Sequence, residues 1–169
     1  MIKEITKFIA NQSVALGFTQ TWTIGTNLFA GHVPVKNFAG VIIPVRFLAV
    51  LESGGGAVLK DVGGVVTATP PSAPGGPGYW PKYVEKAVQL LNRAKSYFVA
   101  HLDAEELYEA LHQTAGWKLP LVAPANRQYL AVVIDAYGPP APIENPGPSG
   151  FYTFSTNYTW KIEEASCGV

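Results

Sequence analysis

Residues 83–116 read YVEKAVQLLNRAKSYFVAHLDAEELYEALHQTAG, and the spacing of apolar side chains changes within this stretch. Its first part alternates as a strand does, with Val84, Val88 and Leu90 on one face. In its second part, apolar positions recur every three or four residues, as along one side of an α-helix. These positions are Tyr97, Ala100, Ala104, Leu107, Tyr108 and Leu111. The stretch therefore predicts a strand that leads into a helix, and the helix needs a sheet to cover its apolar side because it is marginal alone in water.

The rest of the chain supplies one more helix and most of that sheet. Apolar spacing predicts a first helix from Ile2 to Leu16, which Gly17 can terminate. Alternating or nearly continuous apolar runs predict strands at Phe18–Leu28, Phe47–Glu52, Tyr129–Tyr137 and Tyr152–Ile162. Strands with few helical crossovers indicate an α+β fold, with a mainly antiparallel sheet and both helices packed on one face.

The composition indicates a structural subunit more than a binder of nucleic acid. Of 169 residues, 14% are charged, where about 25% is usual for a soluble domain. A surface so poor in charge favours a subunit that covers much of its exterior with neighbours. Twelve basic and twelve acidic residues cancel, so the chain lacks the positive field on which non-specific nucleic-acid binding depends.

Length and targeting signals predict a single domain of 169 residues made in a cytoplasm. The N-terminus has charged residues within its apolar pattern, so it is not a signal peptide, and the apolar run Phe38–Leu51 is too short to span a bilayer. Cys167 has no partner cysteine for an internal disulfide.

Two proline-rich stretches, at about 70–81 and 138–150, are predicted to be long loops of this domain. The first is either a surface insertion or an arm that orders against another subunit. Tyr79 and Trp80 at its end favour the arm, because exposed aromatic side chains are common interface anchors.

Motifs for covalent chemistry are not found in the sequence. Gly54–Gly56 is not followed by the Lys and Ser or Thr of a phosphate-binding loop, and Ser53 does not lie in a nucleophile elbow. The polar residues His101, Glu105, Glu109 and His112 share one face of the second helix and form either a metal site or, as we favour, a solvated stripe. We expect no catalytic residues, no cofactor and no metal.

Several pieces of the chain, in order, resemble phage tail terminator proteins, also called tail completion or minor capsid proteins. The strand and helix signature of that family is matched by Val88, Gln89, Leu90, Arg93, Ser96, Tyr97, Ala100, Ala104, Tyr108, Leu111 and His112. Shorter matches are Asn27–Pro34, Leu48–Gly55 and Gly150–Tyr158. The resemblance covers residues 2–163, and it is carried by packing signatures rather than by catalytic motifs.

The resemblance implies a homo-oligomer, expected to be a hexameric ring, at the head-proximal end of a phage tail tube. Such a ring ends tube polymerisation and joins the tail to the head connector or stopper protein, while DNA passes through without specific binding and no membrane is involved. The candidate interface residues are Tyr79, Trp80, Arg93 and Phe151, with Arg93 also open to an ordinary surface role. The alternatives are another head–tail connector component, or a small cytoplasmic hydrolase or metal-dependent enzyme that uses His101, Glu105 and His112.

Overall fold

The computed structural model describes residues 1–32, 44–53, 58–59, 83–122, 128–144, 146 and 150–164. The elements within these ranges are α1 (Ile2–Ala15), β1 (Leu28–Ala30), β2 (Arg46–Glu52), β3 (Val58–Leu59), β4 (Tyr83–Ala94), α2 (Tyr97–Leu111), β5 (Trp117–Leu119), β6 (Tyr129–Ala136), β7 (Ala141–Glu144) and β8 (Tyr152–Glu164). The stretch 83–116 is a strand followed by a helix, as its change of period predicts.

The described strands form one mixed, mostly antiparallel sheet in the order β1-β2-β4-β8-β6-β5. β1 runs parallel to β2, and all other pairs are antiparallel. β3 pairs with β4, and β7 continues along the edge of β8 beyond the end of β6. The long pair β4–β8 lies at the centre of the sheet. The strand predicted in residues 83–116 is therefore a central strand.

Both helices pack on one face of this sheet, which we call the helix face. Ile5, Phe8 and Ile9 of α1 and Leu107 and Leu111 of α2 belong to one buried cluster. The strands contribute Leu28, Leu48, Val50, Val88, Leu90, Leu119, Ala131, Ile134, Tyr158, Trp160 and Ile162 to the same cluster. The α+β fold with a mainly antiparallel sheet and two helices on one face is therefore confirmed.

The predicted strand Phe18–Leu28 is wrong, because a turn replaces it and the strand there is only Leu28–Ala30. The side-chain Oδ1 of Asn27 accepts a hydrogen bond from the backbone N–H of Thr23 at 2.7 Å. Gly25 has a φ of +80°, a conformation that suits glycine in a turn. Trp22 is nonetheless buried, and its backbone N–H donates to Ser13 Oγ, so its apolar character reflects core packing without strand pairing.

The second proline-rich stretch is also not entirely loop, because Ala141–Glu144 pairs with β8. Proline is tolerated in a strand at a sheet edge, where a missing N–H that points outward breaks no ladder bond. Pro142 lies in such a strand. Leu119 is the last residue of the short strand β5. The stretch 70–81 lies outside the described residues.

Candidate assembly surface

Several elements begin or end together at one end of the sheet, which we call the aromatic end. The register places Arg46, the first residue of β2, opposite Ala94, the last residue of β4. Ala94 in turn lies opposite Tyr152, the first residue of β8. Since α2 begins three residues after β4, its first turn lies at the same end.

Large apolar side chains are exposed to solvent around this end. Phe98 is 80% exposed, Val45 49% and Ile143 52%. Tyr97 and Leu102 of α2 are also among the exposed large apolar residues. Single exposed apolar side chains are ordinary on protein surfaces, but a group of them marks an interaction site. Among the described residues, other exposed large apolar side chains lie elsewhere on the chain, such as Val14, Leu16 and Tyr137, but the aromatic end carries the most exposed one, Phe98, and is our candidate for contact with another protein chain.

The structure brings two of the sequence-predicted interface residues together at this end. The guanidinium carbon of Arg93 lies 4.7 Å from the ring centroid of Phe151 and 6.0 Å from that of Phe47. Arg93 is paired with Phe47 and Thr153 across the strands, on the sheet face opposite the helices. A guanidinium over an aromatic face is held by the ring quadrupole as well as by packing. Tyr79 and Trp80 lie outside the described residues.

Tyr97 fixes the first turn of α2 against β8. Its ring lies edge-on to those of Tyr152 at 5.7 Å and Phe154 at 5.2 Å, and it stacks on His101 at 5.9 Å. Tyr97 thus belongs partly to the core, which its place in the apolar stripe predicts. Phe98 does not belong to that stripe. A large aromatic residue on the exposed side of a helix indicates an interaction surface, and this signal in the sequence was missed.

An ion pair between a half-buried arginine and a buried aspartate joins β2 to α2 near the same end. Arg46 Nε donates to Asp103 Oδ2 at 2.7 Å, and Arg46 Nη2 donates to Asp103 Oδ1. Asp103 is 1% exposed. Burial raises the pKa of the Asp103 carboxyl, while the hydrogen bonds and charge of Arg46 oppose that rise. The same hydrogen bonds raise the pKa of Arg46, with burial opposing.

The pair was missed from sequence, although Asp103 follows the spacing of the buried stripe between Ala100 and Leu107. An aspartate on the buried side of a helix needs a cationic or hydrogen-bonding partner. Its partner is 57 residues away in the chain, so no local pattern identifies Arg46.

The polar stripe of α2 does not come together as a metal site. His101 Nδ1 lies 3.4 Å from Glu105, one turn further along the helix. His112 follows the end of α2, where its Nδ1 accepts a hydrogen bond from the backbone N–H of Ala136 and its ring stacks on Tyr108 at 4.8 Å. Throughout the ranges that the structure describes, no group of three or more His, Cys, Asp or Glu residues could hold a metal ion.

Comparisons with known proteins give no relative from which a function could be transferred. No family model, no curated protein and no solved structure matches the chain. Among the described residues, no helix is both long and apolar enough to cross a membrane. A functional assignment must therefore come from the surface itself and from the sequence resemblance.

Proposed function

We propose that this chain is a structural subunit of a ring at the head-proximal end of a phage tail, where it ends tube polymerisation and joins the tail to the head connector. The observation that carries the proposal is the group of exposed apolar side chains at the aromatic end. Phe98, which is 80% exposed, is the most exposed of them. A monomer in water gains nothing from exposing them, whereas a permanent neighbour would remove their area from water.

Two further observations support a structural role. The chain combines 48% hydrophobic with only 14% charged residues. Neighbouring subunits can therefore cover much of its surface without burying charged groups that lack a partner. The α+β class of the fold is the class that the resemblance to tail terminators implies. The ring is proposed to be a homohexamer that contacts the tail tube protein on one side and a connector or stopper protein on the other.

The proposed ring passes DNA without binding it specifically. Twelve basic and twelve acidic residues leave no net charge to hold the phosphate backbone. Its mechanism is shape and interface complementarity, and no bond is made or broken. A permanent ring contact is expected to bury about 800 Å² or more on each partner.

The experiment is to measure the mass of the purified protein by light scattering, alone and mixed with the tail tube protein encoded with it, and to examine the mixture by electron microscopy. The proposal predicts a ring, formed either alone or on the tube, and tubes of defined length capped at one end. Phe98→Ser is the test variant, and Thr159→Ala, on the sheet face opposite the helices, is the matched control. A wild-type protein that stays monomeric in both samples and leaves tube length unchanged contradicts the proposal.

A further inference from the structure

The exposed side of α1 changes character along its length. Lys3, Lys7, Asn11 and Val14 are exposed and follow one another at spacings of four, four and three residues, so they lie along one stripe of the helix. We call this the α1 stripe. Its first half is basic, and its last residue, Val14, is an apolar side chain that is 67% exposed.

The exposed side of α2 has the opposite order of character. Phe98, Leu102, Glu105 and Glu109 are exposed and follow one another at spacings of four, three and four residues. This is the α2 stripe. Its first half is apolar, with Phe98 80% and Leu102 43% exposed, and its second half is acidic.

The two stripes match when the helices run antiparallel. Each covers eleven residue steps, about three turns or 16 Å of helix. In the antiparallel arrangement Lys3 faces Glu109, Lys7 faces Glu105, and Val14 faces Phe98. A parallel arrangement would place Lys3 beside Phe98 and Val14 beside Glu109. The Lys3 ammonium and the Glu109 carboxylate would then lose water without gaining an oppositely charged partner.

Pairing of like stripes is disfavoured by the same reasoning. Two antiparallel α2 stripes would set Phe98 against Glu109, and two parallel ones would set carboxylates against carboxylates. The α1 stripe has the same difficulty with its lysines. The complement of each stripe on this chain is therefore the other stripe.

The contact cannot be made within one chain, because both stripes are exposed in it and each helix is already packed on the sheet by its other side. The opposite sides of the helices carry the buried residues, such as Ile5 and Ile9 of α1 and Leu107 and Leu111 of α2. We propose that the α1 stripe of one copy packs antiparallel against the α2 stripe of a second copy. This contact joins two different surfaces, as a closed ring requires, or forms twice across a two-fold axis.

The helix contact rests on the proposed function, since it names the surfaces through which copies associate. It can be wrong while the proposed function is right, and it therefore has its own tests. The first test uses cysteine trapping in a Cys167→Ser background. One protein carries Val14→Cys and a second carries Phe98→Cys, and the mixture is oxidised. Facing helices bring opposed Cα atoms within disulfide reach, and oxidation at high protein concentration traps the contact even though loss of the Phe98 ring weakens it, so the mixed dimer should accumulate.

The matched control replaces Val14→Cys with Lys3→Cys, which faces Phe98 only in the parallel arrangement. The inference predicts at least about tenfold less mixed dimer for this control. Equal yields from the two mixtures, or no mixed dimer from either one while the wild type self-associates, overturn it.

The second test reverses charges. Lys3→Glu and Glu109→Lys should each weaken self-association about tenfold, because like charges then face each other, and the double variant should recover most of the loss. Far-UV circular dichroism checks that the variants fold, which is expected because both side chains are exposed. Absence of recovery in the double variant contradicts the pairing.

The outcomes separate the two proposals. If the wild type is a dimer and the Val14→Cys and Phe98→Cys variants form the mixed disulfide, the helix contact is supported and the ring is contradicted. If the wild type is a ring and these variants form no mixed disulfide, the ring is supported and the helix contact is overturned. A wild-type protein that is monomeric at all concentrations, alone and with tubes, overturns both.

Discussion

The two ends of the sheet are built in opposite ways. Under α1, which we call the closed end, Phe8, Trp22 and Trp160 are at most 3% exposed, and the Phe8 ring meets the Trp160 ring edge-on at 5.9 Å. At the aromatic end, the small cluster under α2 contains Ala94, Ala100, Ala104 and Phe154, while Phe98 is in water. The aromatic rings under α1 are thus buried in the core, whereas the most exposed aromatic ring of the described residues, Phe98, lies at the aromatic end.

Aromatic residues of this chain are buried where they stabilise the fold and exposed where another chain can cover them. The core of the closed end is complete within one copy, since its rings already contact each other, and only the outer side of α1 is left for a neighbour. The aromatic end depends for its own stability on the ion pair of Arg46 with Asp103 and on a small cluster of three alanines and Phe154. Substitutions at the two ends should therefore separate folding from assembly.

The largest expected effect is at the closed end. Trp160→Ala removes a ring that is fully buried beside Phe8 and should lower the free energy of unfolding by about 3 to 5 kcal/mol, through lost transfer free energy and an unfilled cavity. Urea unfolding followed by fluorescence measures it. A loss below about 1 kcal/mol would show that the closed end is not the main source of stability.

The next largest effect concerns the ion pair at the aromatic end. Arg46→Met leaves the buried Asp103 carboxylate without its cation and should cost about 3 kcal/mol at pH 7. Without Arg46, burial and the negative charge of Glu106 act on Asp103 unopposed, and its pKa rises further. A pKa raised in the folded state favours folding at low pH, and that contribution is lost as the pH rises through the raised pKa.

The deficit of Arg46→Met relative to the wild type should therefore shrink from pH 7 towards pH 4. Urea midpoints measured across this range provide the check. A deficit that stays constant with pH would mean that Asp103 is not the group left uncompensated. The control is Glu52→Gln, because its partner Lys86 lies at 3.4 Å in an exposed pair and the pair contributes little.

A smaller effect is expected where Arg93 lies over Phe151. Arg93→Lys keeps the positive charge but loses the planar group that stacks on the ring, so the free energy of unfolding should fall by about 0.5 to 1 kcal/mol. Phe151→Leu should remove the same interaction, and the double variant should show less than the sum of the two losses. Strict additivity would indicate that the guanidinium and the ring do not interact.

The smallest effect on folding should come from the most exposed aromatic residue. Phe98→Ser should change the free energy of unfolding of the separate chain by about 0.5 kcal/mol or less, since the side chain is mostly in water. The same substitution should abolish self-association. A large loss of stability with unchanged association would reverse the roles assigned to the two ends.

The sequence predicts those parts of the fold that have a strong local period. The change from alternation to helical spacing near Tyr97 locates β4 and α2, and the alternation from Tyr152 to Ile162 locates β8. The same rule fails at 18–28, where alternation is also present but the side chain of Asn27 and the backbone of Gly25 favour a turn. Local hydrogen bonds from a side chain compete with the strand ladder and are not visible in apolar spacing.

The candidate site is predicted less fully, because it depends on contacts between distant residues. Arg93 and Phe151 can be chosen from the sequence one at a time, but only the register of β4 with β8 makes them neighbours. The pair of Arg46 with Asp103 depends in the same way on how α2 lies on the sheet. Phe98 could have been selected, since it is an aromatic residue that the buried stripe of α2 leaves out.

We infer that a neighbouring copy of the chain covers the exposed apolar side chains of the aromatic end. The most direct test is the mass of the wild type and of Phe98→Ser by light scattering over a range of protein concentrations, with tail tube protein present and absent. We predict a closed ring for the wild type and a folded monomer for the variant. A wild type that remains a folded monomer under every condition, or a variant that assembles as well as the wild type, would contradict the claim.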